Sequence, residues 1–286
     1  FHVVFTVPAD LDSLFLSNQE KLYRLLFSCA AETLTQLAWD KKYLGAQIGC
    51  IEVLHTWGQR LDFHPHIHCI VPGGGLNKIG KWVSSRKKFF IPVKVLSRMF
   101  RGKFLAALKT MGLDFHGTAE RYEDPLDFLN LLDRCYKREW VAYCKPPFKD
   151  SSGVINYLGR YTHRVAISNN RILNVRNSQV IFKWRDYSDG NKEKVMTLSA
   201  MEFIRRFLLH ILPKGFMKIR HYGLLGNRNK TKKLTLCKRL TNTPIRPKEK
   251  LPARQLIQKL IGHDITTCPV CGTLFQHASL PPPLVS

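Results

Sequence analysis

The chain has 286 residues, 44% of them apolar, and a formal net charge of +24. That length holds one large core or two domains, and no apolar run approaches the ~20 residues a membrane-spanning helix needs, so a helical membrane protein is excluded. The charge is lopsided, with 19 Lys and Arg against 14 Asp and Glu in residues 1–143 but 26 against 7 in residues 144–286. This predicts a polyanion on the second half, with nucleic acid the first candidate and an anionic membrane a distant second.

In chain order, Phe1 to Val7 reads as a strand, and because it opens on Phe rather than Met the sequence is expected to begin inside a longer protein. No basic-then-apolar secretory leader opens the sequence itself, and a cytoplasmic protein is expected. Ser17 with Glu20 predicts a capping box for a helix whose Leu22, Leu25, Leu26, Cys29, Leu34, Leu37 and Ala38 recur at helical spacing to about Lys41. Ala46 to Trp57 is apolar and β-rich. After the turn-prone Gly58-Gln59-Arg60 it leads into His64-Pro65-His66-Ile67-His68-Cys69-Ile70-Val71, closed by Gly73-Gly74-Gly75. The two strands predict an antiparallel hairpin that brings His55 near His66 and His68. Alternation puts His64, His66 and His68 on one face and Phe63, Ile67, Cys69 and Val71 on the other. Imidazoles two apart on a strand can share one divalent ion; the bland alternative is a row of partly exposed histidines with no ligand.

Further along, Lys81 to Val83 and Phe89 to Val93 read as short strands, and Val95 to Met111 as a helix with Leu96, Met99, Phe100, Phe104, Leu105 and Leu108 on its core stripe. Residues 112–138 read as a peripheral helical insertion around Pro125 to Tyr136, and Trp140 to Cys144 as a strand. Ser151 or Ser152 can cap a helix that sets Tyr157 and Tyr161 one turn apart on one face, with Arg160, His163 and Arg164 beside them. Then Val165 to Ser168, Arg171 to Val175, Val180 to Tyr187 and Val195 to Leu198 predict an antiparallel meander, and Ser199 with Glu202 a capping box for a helix to about His210. Beyond Pro213 the chain is strongly basic.

Of the eight cysteines, Cys29, Cys50, Cys69, Cys135 and Cys144 lie irregularly in apolar stretches, as buried reduced thiols do. Cys268-Pro269-Val270-Cys271-Gly272 alone has zinc-ligand spacing. It would be half of a structural Zn²⁺ site, completed by Cys237, His263 or His277, or else a solvated tail with two incidental thiols.

A Tyr phenol, with a pKa near ~10, is a poor nucleophile at neutral pH. A nearby cation or a metal-bound phosphate would help it lose its proton and attack phosphorus. The competing reading of a Tyr pair at helical spacing is ordinary aromatic packing. It weakens here because the same helix end carries Arg160, His163 and Arg164 and a metal-type histidine strand lies upstream.

At these residues the sequence resembles a known family. His66-Ile67-His68-Cys69-Ile70-Val71 is similar to the His-hydrophobic-His motif of the HUH single-strand endonucleases, and Tyr157-Leu158-Gly159-Arg160-Tyr161 to the Tyr-x3-Tyr motif of their two-tyrosine members. More closely, Leu54 to Gly75, Tyr157 to Ser168 and Glu202 to Gly223 resemble the transposases of rolling-circle insertion sequences, of the insertion-sequence ninety-one type. The resemblance implies an α+β fold, with a central antiparallel sheet flanked by helices, the histidine strand in its middle and a basic C-terminal extension. It implies a catalytic domain over residues 1–223 and a basic tail over 224–286. It further implies a Mg²⁺ or Mn²⁺ ion on His66, His68 and a third ligand, attack by Tyr157 or Tyr161 on single-stranded DNA at transposon ends and target, a 5′-phosphotyrosine, and a bacterial, nucleoid-associated location with no membrane partner. For the third ligand His55, His64, Asp62 and Glu52 all lie close; His55 is favoured because counting by twos from Val53 sets it on one face and Glu52 on the other, unless a bulge reverses the order.

Rival readings remain. A plasmid replication initiator or relaxase would use the same chemistry. A zinc-dependent hydrolase would leave the tyrosines and the basic half idle, and a non-catalytic DNA-binding module would explain only the charge and the knuckle.

Overall fold

The fold is that of a computed structural model describing residues 1–86, 90–146, 148, 153–155, 159, 166–245, 252, 255, 258, 264, 266–268 and 270–275. Five strands, β1 (His2–Thr6), β2 (Gly49–Trp57), β3 (Phe63–Ile70), β6 (Ala142–Lys145) and β10 (Ile219–Gly223), form the central sheet in the order β10, β2, β3, β1, β6. Every neighbouring pair is antiparallel, and β3 is the middle strand. β2 is buried along almost its whole length, which is why its sequence reads as a continuous apolar run rather than an alternating one.

Helices α2 (Gln19–Trp39) and α3 (Val93–Thr110) pack on one face of this sheet. The stripe of α2, Leu22, Leu25, Leu26, Cys29, Leu34, Leu37 and Ala38, is buried, as are Leu96, Phe100, Phe104, Leu105 and Leu108 of α3. They share one core with Val3, Phe5, Leu54, Ile67 and Cys69 of the strands. Each large side chain fully withdrawn from water contributes ~1.5–3 kcal/mol. Trp140 closes the packing, its ring 5.6 Å from both Phe100 and Phe104.

The capping box expected from Ser17 and Glu20 does not form. Ser17 ends a separate short helix, α1 (Asp12–Ser17), and its hydroxyl donates to the carbonyls of Ser13 and His116. Buried Asn18 occupies the break, its amide donating to Leu14 and Asp114 carbonyls, while Glu20 pairs with Arg24. A second revision concerns the strand expected over Phe89 to Val93. Phe90 to Pro92 are not strand: Phe90 and Ile91 plug the core, and Pro92, which cannot donate to a ladder, precedes the first turn of α3. The partner of β5 (Trp82–Ser84) is instead β4 (Gly74–Leu76). A Cβ at Gly75 would collide with the Gln47 carbonyl, so the glycine run permits a backbone approach no other residue allows.

Within residues 112–138, the helix α4 (Pro125–Lys137) starts on Asp124, whose carboxylate accepts from Leu126 and Asp127 amides. Leu131 and Cys135 of α4 join the main core. The meander is a separate three-stranded sheet, β7 (Ile172–Arg176), β8 (Gln179–Asp186) and β9 (Lys192–Ser199), followed by α5 (Ala200–Leu208). Its expected first strand is absent over the described residues 166–168, because buried Ala166 sits at φ +57 and turns the chain. Ser199 caps α5 by accepting from the Glu202 amide, but the Glu202 carboxylate turns to Arg205 and Arg206. Phe182, Val180, Leu61 and Ala166 make a second small core that joins this sheet to the end of the β2–β3 hairpin.

Two elements lay hidden in the basic stretch, β10 and the helix α6 (Lys230–Leu240). Residues Phe1–Thr243 form one unit and Pro244–Ser286 another. No described helix is long and apolar enough to cross a membrane.

Candidate metal centre

The hairpin register builds the site. His55 lies opposite His66 and Val53 opposite His68, so His55, His66 and His68 share the sheet face away from α2 and α3. Their ring centroids are 4.3 to 5.4 Å apart, and one nitrogen from each lies within 4.8 Å of the others. Three imidazoles at this spacing are a donor set that could hold a metal ion.

A bulge does interrupt the hairpin, but beyond His55. Between the pairs His55–His66 and Trp57–Phe63, β3 advances one residue more than β2. Pro65 falls inside that irregularity, where its missing N–H is not needed by the ladder. His55 therefore keeps its face.

Ring orientation is set from behind. The Nδ1 of His66 lies 2.6 Å from the His64 carbonyl, and because a carbonyl only accepts, Nδ1 carries the proton and Nε2 keeps its lone pair. His68 Nδ1 lies 2.8 Å from His2 Nε2, with the two rings parallel at 5.1 Å. With His68 as donor its Nε2 is likewise left for a ligand. Burial pushes His66 down to about 4, with His64 adding to the effect. The same cause lowers His68 well below the ordinary range, with His55 and His66 contributing next. At neutral pH these rings are uncharged, the form in which imidazole ligates a metal. The donor chemistry thus fits a divalent ion.

The other residues weighed for the third position are placed elsewhere. Glu52 points to the helix side of the sheet and is fully buried, with the Cys50 thiol 3.6 Å from its Oε1. Burial lifts its carboxyl well above the usual range, which favours the protonated form over a charged ligand. Asp62 lies in the hairpin turn and accepts from the Arg60 amide at 3.3 Å. His64 has its ring 5.1 Å from that of His66 but serves through its carbonyl. Tyr157, Arg160, Tyr161, His163 and Arg164 lie outside the described residues, as do His263 and His277. Cys268 and Cys271 lie in a tight turn closed by a bridge between Thr267 and Leu274, with Gly272 at φ +73. Hydrogen bonds from Thr273, then from Cys268, bring the Cys271 thiol down to about 7.

His2 is the participant that sequence reasoning missed. Alternation in Phe1-His2-Val3-Val4-Phe5 sets it opposite the apolar face, yet nothing local says that β1 pairs with β3. Trp57, stacked on His55 at 4.7 Å, is the other neighbour of note.

Residues 49–233, which contain all three histidines, match a protein family described as "Putative transposase". The chain is 45% identical over 280 residues to "Putative transposase y4qJ" of Sinorhizobium fredii, covering 95% of this chain and 70% of that protein. It is 31% identical over 236 residues to the "Transposase for insertion sequence element IS801" of Pseudomonas savastanoi pv. phaseolicola, covering 79% of this chain and 54% of that protein. Among solved structures it is similar to the "Conjugative Relaxase TrwC in complex with OriT Dna", with a TM-score of 0.31 and 10% identity over 84% of this chain and 73% of that one, a likeness too faint to assign a fold. By its match over residues 49–233 and its identity to these relatives, the chain belongs to this transposase family.

Proposed function

We propose that the chain nicks and rejoins single-stranded DNA at transposon ends and target in rolling-circle transposition. His55, His66 and His68 would hold one Mg²⁺ or Mn²⁺ ion, and Tyr157 and Tyr161 would be the nucleophiles. The observation that carries this reading is the convergence of three imidazoles, His66 and His68 on the middle strand of the sheet and His55 on β2 beside it, in a chain of a transposase family.

A bound divalent ion supplies polarisation of the scissile phosphate and helps a phenol lose its proton. The phenolate oxygen of Tyr157 or Tyr161 attacks phosphorus as the bond from phosphorus to the 3′ oxygen breaks. The leaving oxygen takes a proton to become a 3′-hydroxyl, and the 5′ phosphate stays on the tyrosine. Arg160, His163 and Arg164 counter phosphate charge beside it. Attack by a 3′-hydroxyl on the phosphotyrosine reverses the bond changes, so rejoining needs no external energy source, and the second tyrosine serves the second strand transfer. Residues 1–223 act as the catalytic unit, and residues 224–286 as a basic tail in which Cys268 and Cys271 supply half of a structural Zn²⁺ site. The protein works in the cytoplasm, on the nucleoid.

The test is a covalent one. Single-stranded DNA labelled at its 3′ end, incubated with the protein and Mn²⁺, should give an adduct that survives denaturation. The pair Tyr157→Phe and Tyr161→Phe should bind DNA normally and form none, while at least one single Phe variant still does. An adduct from the double variant would place the nucleophile elsewhere, for instance at Tyr187 or Tyr222.

A further inference from the structure

Trp57 belongs to two neighbourhoods. It stacks on His55, and it also lines a separate cavity of about 590 Å³ between the end of the β2–β3 hairpin and β8. Two more aromatic residues, Trp184 and Tyr187, line the same cavity, and Tyr187 is 70% exposed. Gln59, Ser168 and Asn170 add amide and hydroxyl groups to its wall.

The cavity is built rather than incidental. Arg171 donates to the carbonyls of Lys183 and Gln59 and so fastens the hairpin end to β8. Gln59 donates to the Tyr187 hydroxyl at 3.0 Å and accepts from the Arg185 amide at 3.3 Å. The Arg60 guanidinium stands 5.4 Å from the Trp184 ring. Lys183 is neutralised by Glu193 at 2.7 Å, but among the described residues Arg60 and Arg185 form no ion pair, and both are exposed.

Aromatic rings, base-edge hydrogen-bonding groups and exposed guanidinium groups outside ion pairs together match one ligand chemistry. An unpaired base offers a π face to stack and edges to bond, and its phosphates answer the arginines; in a duplex those faces are already stacked. The volume falls in the ~300–1,000 Å³ range of small-ligand sites. We propose that this cavity captures an unpaired base of single-stranded DNA, on the same strand as the phosphate presented to the histidines. Trp57 is the shared wall between the two sites. The proposal rests on the reading of the chain as a single-strand DNA transposase.

The test uses the full chain and a 20-nucleotide single strand carrying the fluorescent base 2-aminopurine at successive positions, with EDTA present. One position should be quenched by stacking on wild type, and Trp184→Ala and Tyr187→Ala should each weaken single-strand binding about 5- to 100-fold. Binding of Mn²⁺ by the histidines should be unchanged in both. If these variants and Arg185→Ala bind the strand as wild type does, the cavity is not a base site, while the transposase reading stands. If wild type itself binds no single strand, that reading fails and takes this one with it. Should Trp184→Ala not fold, Tyr187→Ala decides, since its exposed ring supports no core.

Discussion

Removing one imidazole separates the metal site from the fold. His68→Ala should abolish Mn²⁺ binding in a calorimetric titration while leaving the circular dichroism spectrum unchanged; retained binding would overturn the ligand set. His2 acts one step back, so His2→Phe, which keeps the ring stack but removes the nitrogen, should weaken Mn²⁺ about 10- to 100-fold. An unchanged affinity would show that His68 needs no such partner. Glu52 makes a different prediction, on stability. Burial raises its carboxyl well above the 4.5 of the unfolded chain, so the native state loses stability as pH rises beyond that value, by up to ~1.4 kcal/mol per unit until the folded carboxyl also ionises. His66 works the other way: protonated when unfolded below 6.5 but held near 4 in the fold, it costs stability as pH falls through that interval. Glu52→Gln should therefore raise the melting temperature by several degrees at pH 7 to 8 and change little at pH 4. A gain independent of pH would mean that Glu52 is ionised in the core.

Elements whose apolar residues repeat at helical spacing were readable from sequence, because the stripes of α2 and α3 answer to one core face alone. The histidine hairpin was readable too, through alternation in β3 and the turn residues before it, and with it the proximity of His55 to His66 and His68. The rest depended on partners distant in the chain. His2 meets His68 across 66 residues. β10 disguises an edge strand of the sheet with cations: Arg220 lays its guanidinium over Phe27 at 4.5 Å and Phe216 at 5.1 Å, so its stem is packed while its charge reads as solvent. The Ser17 capping box failed because a preceding short helix claimed the serine, whereas Asp124 and Ser199 cap as their types suggest. Asp124→Ala should lower stability by ~1 kcal/mol, seen as a shifted denaturation midpoint; no shift would show that Pro125 alone starts α4.

For the whole molecule, the excess of Lys and Arg over residues 144–286 should appear in the salt dependence of DNA binding. Affinity for a single strand should fall by an order of magnitude or more between about 50 and 200 mM salt if several phosphates are contacted, and a flat response would assign the charge another use. The bulge at Pro65 has a consequence of its own at this scale. Strand side chains alternate, so a slip of β3 by one residue would drive His66 and His68 into the apolar core and turn Ile67 and Cys69 outward. Pro65 fits at the irregularity and would cost a ladder bond at a neighbouring paired position, so the native alignment carries its own lock. A misaligned chain would then be blind to metal, and the stoichiometry of a Mn²⁺ titration would count the correctly folded fraction of a preparation.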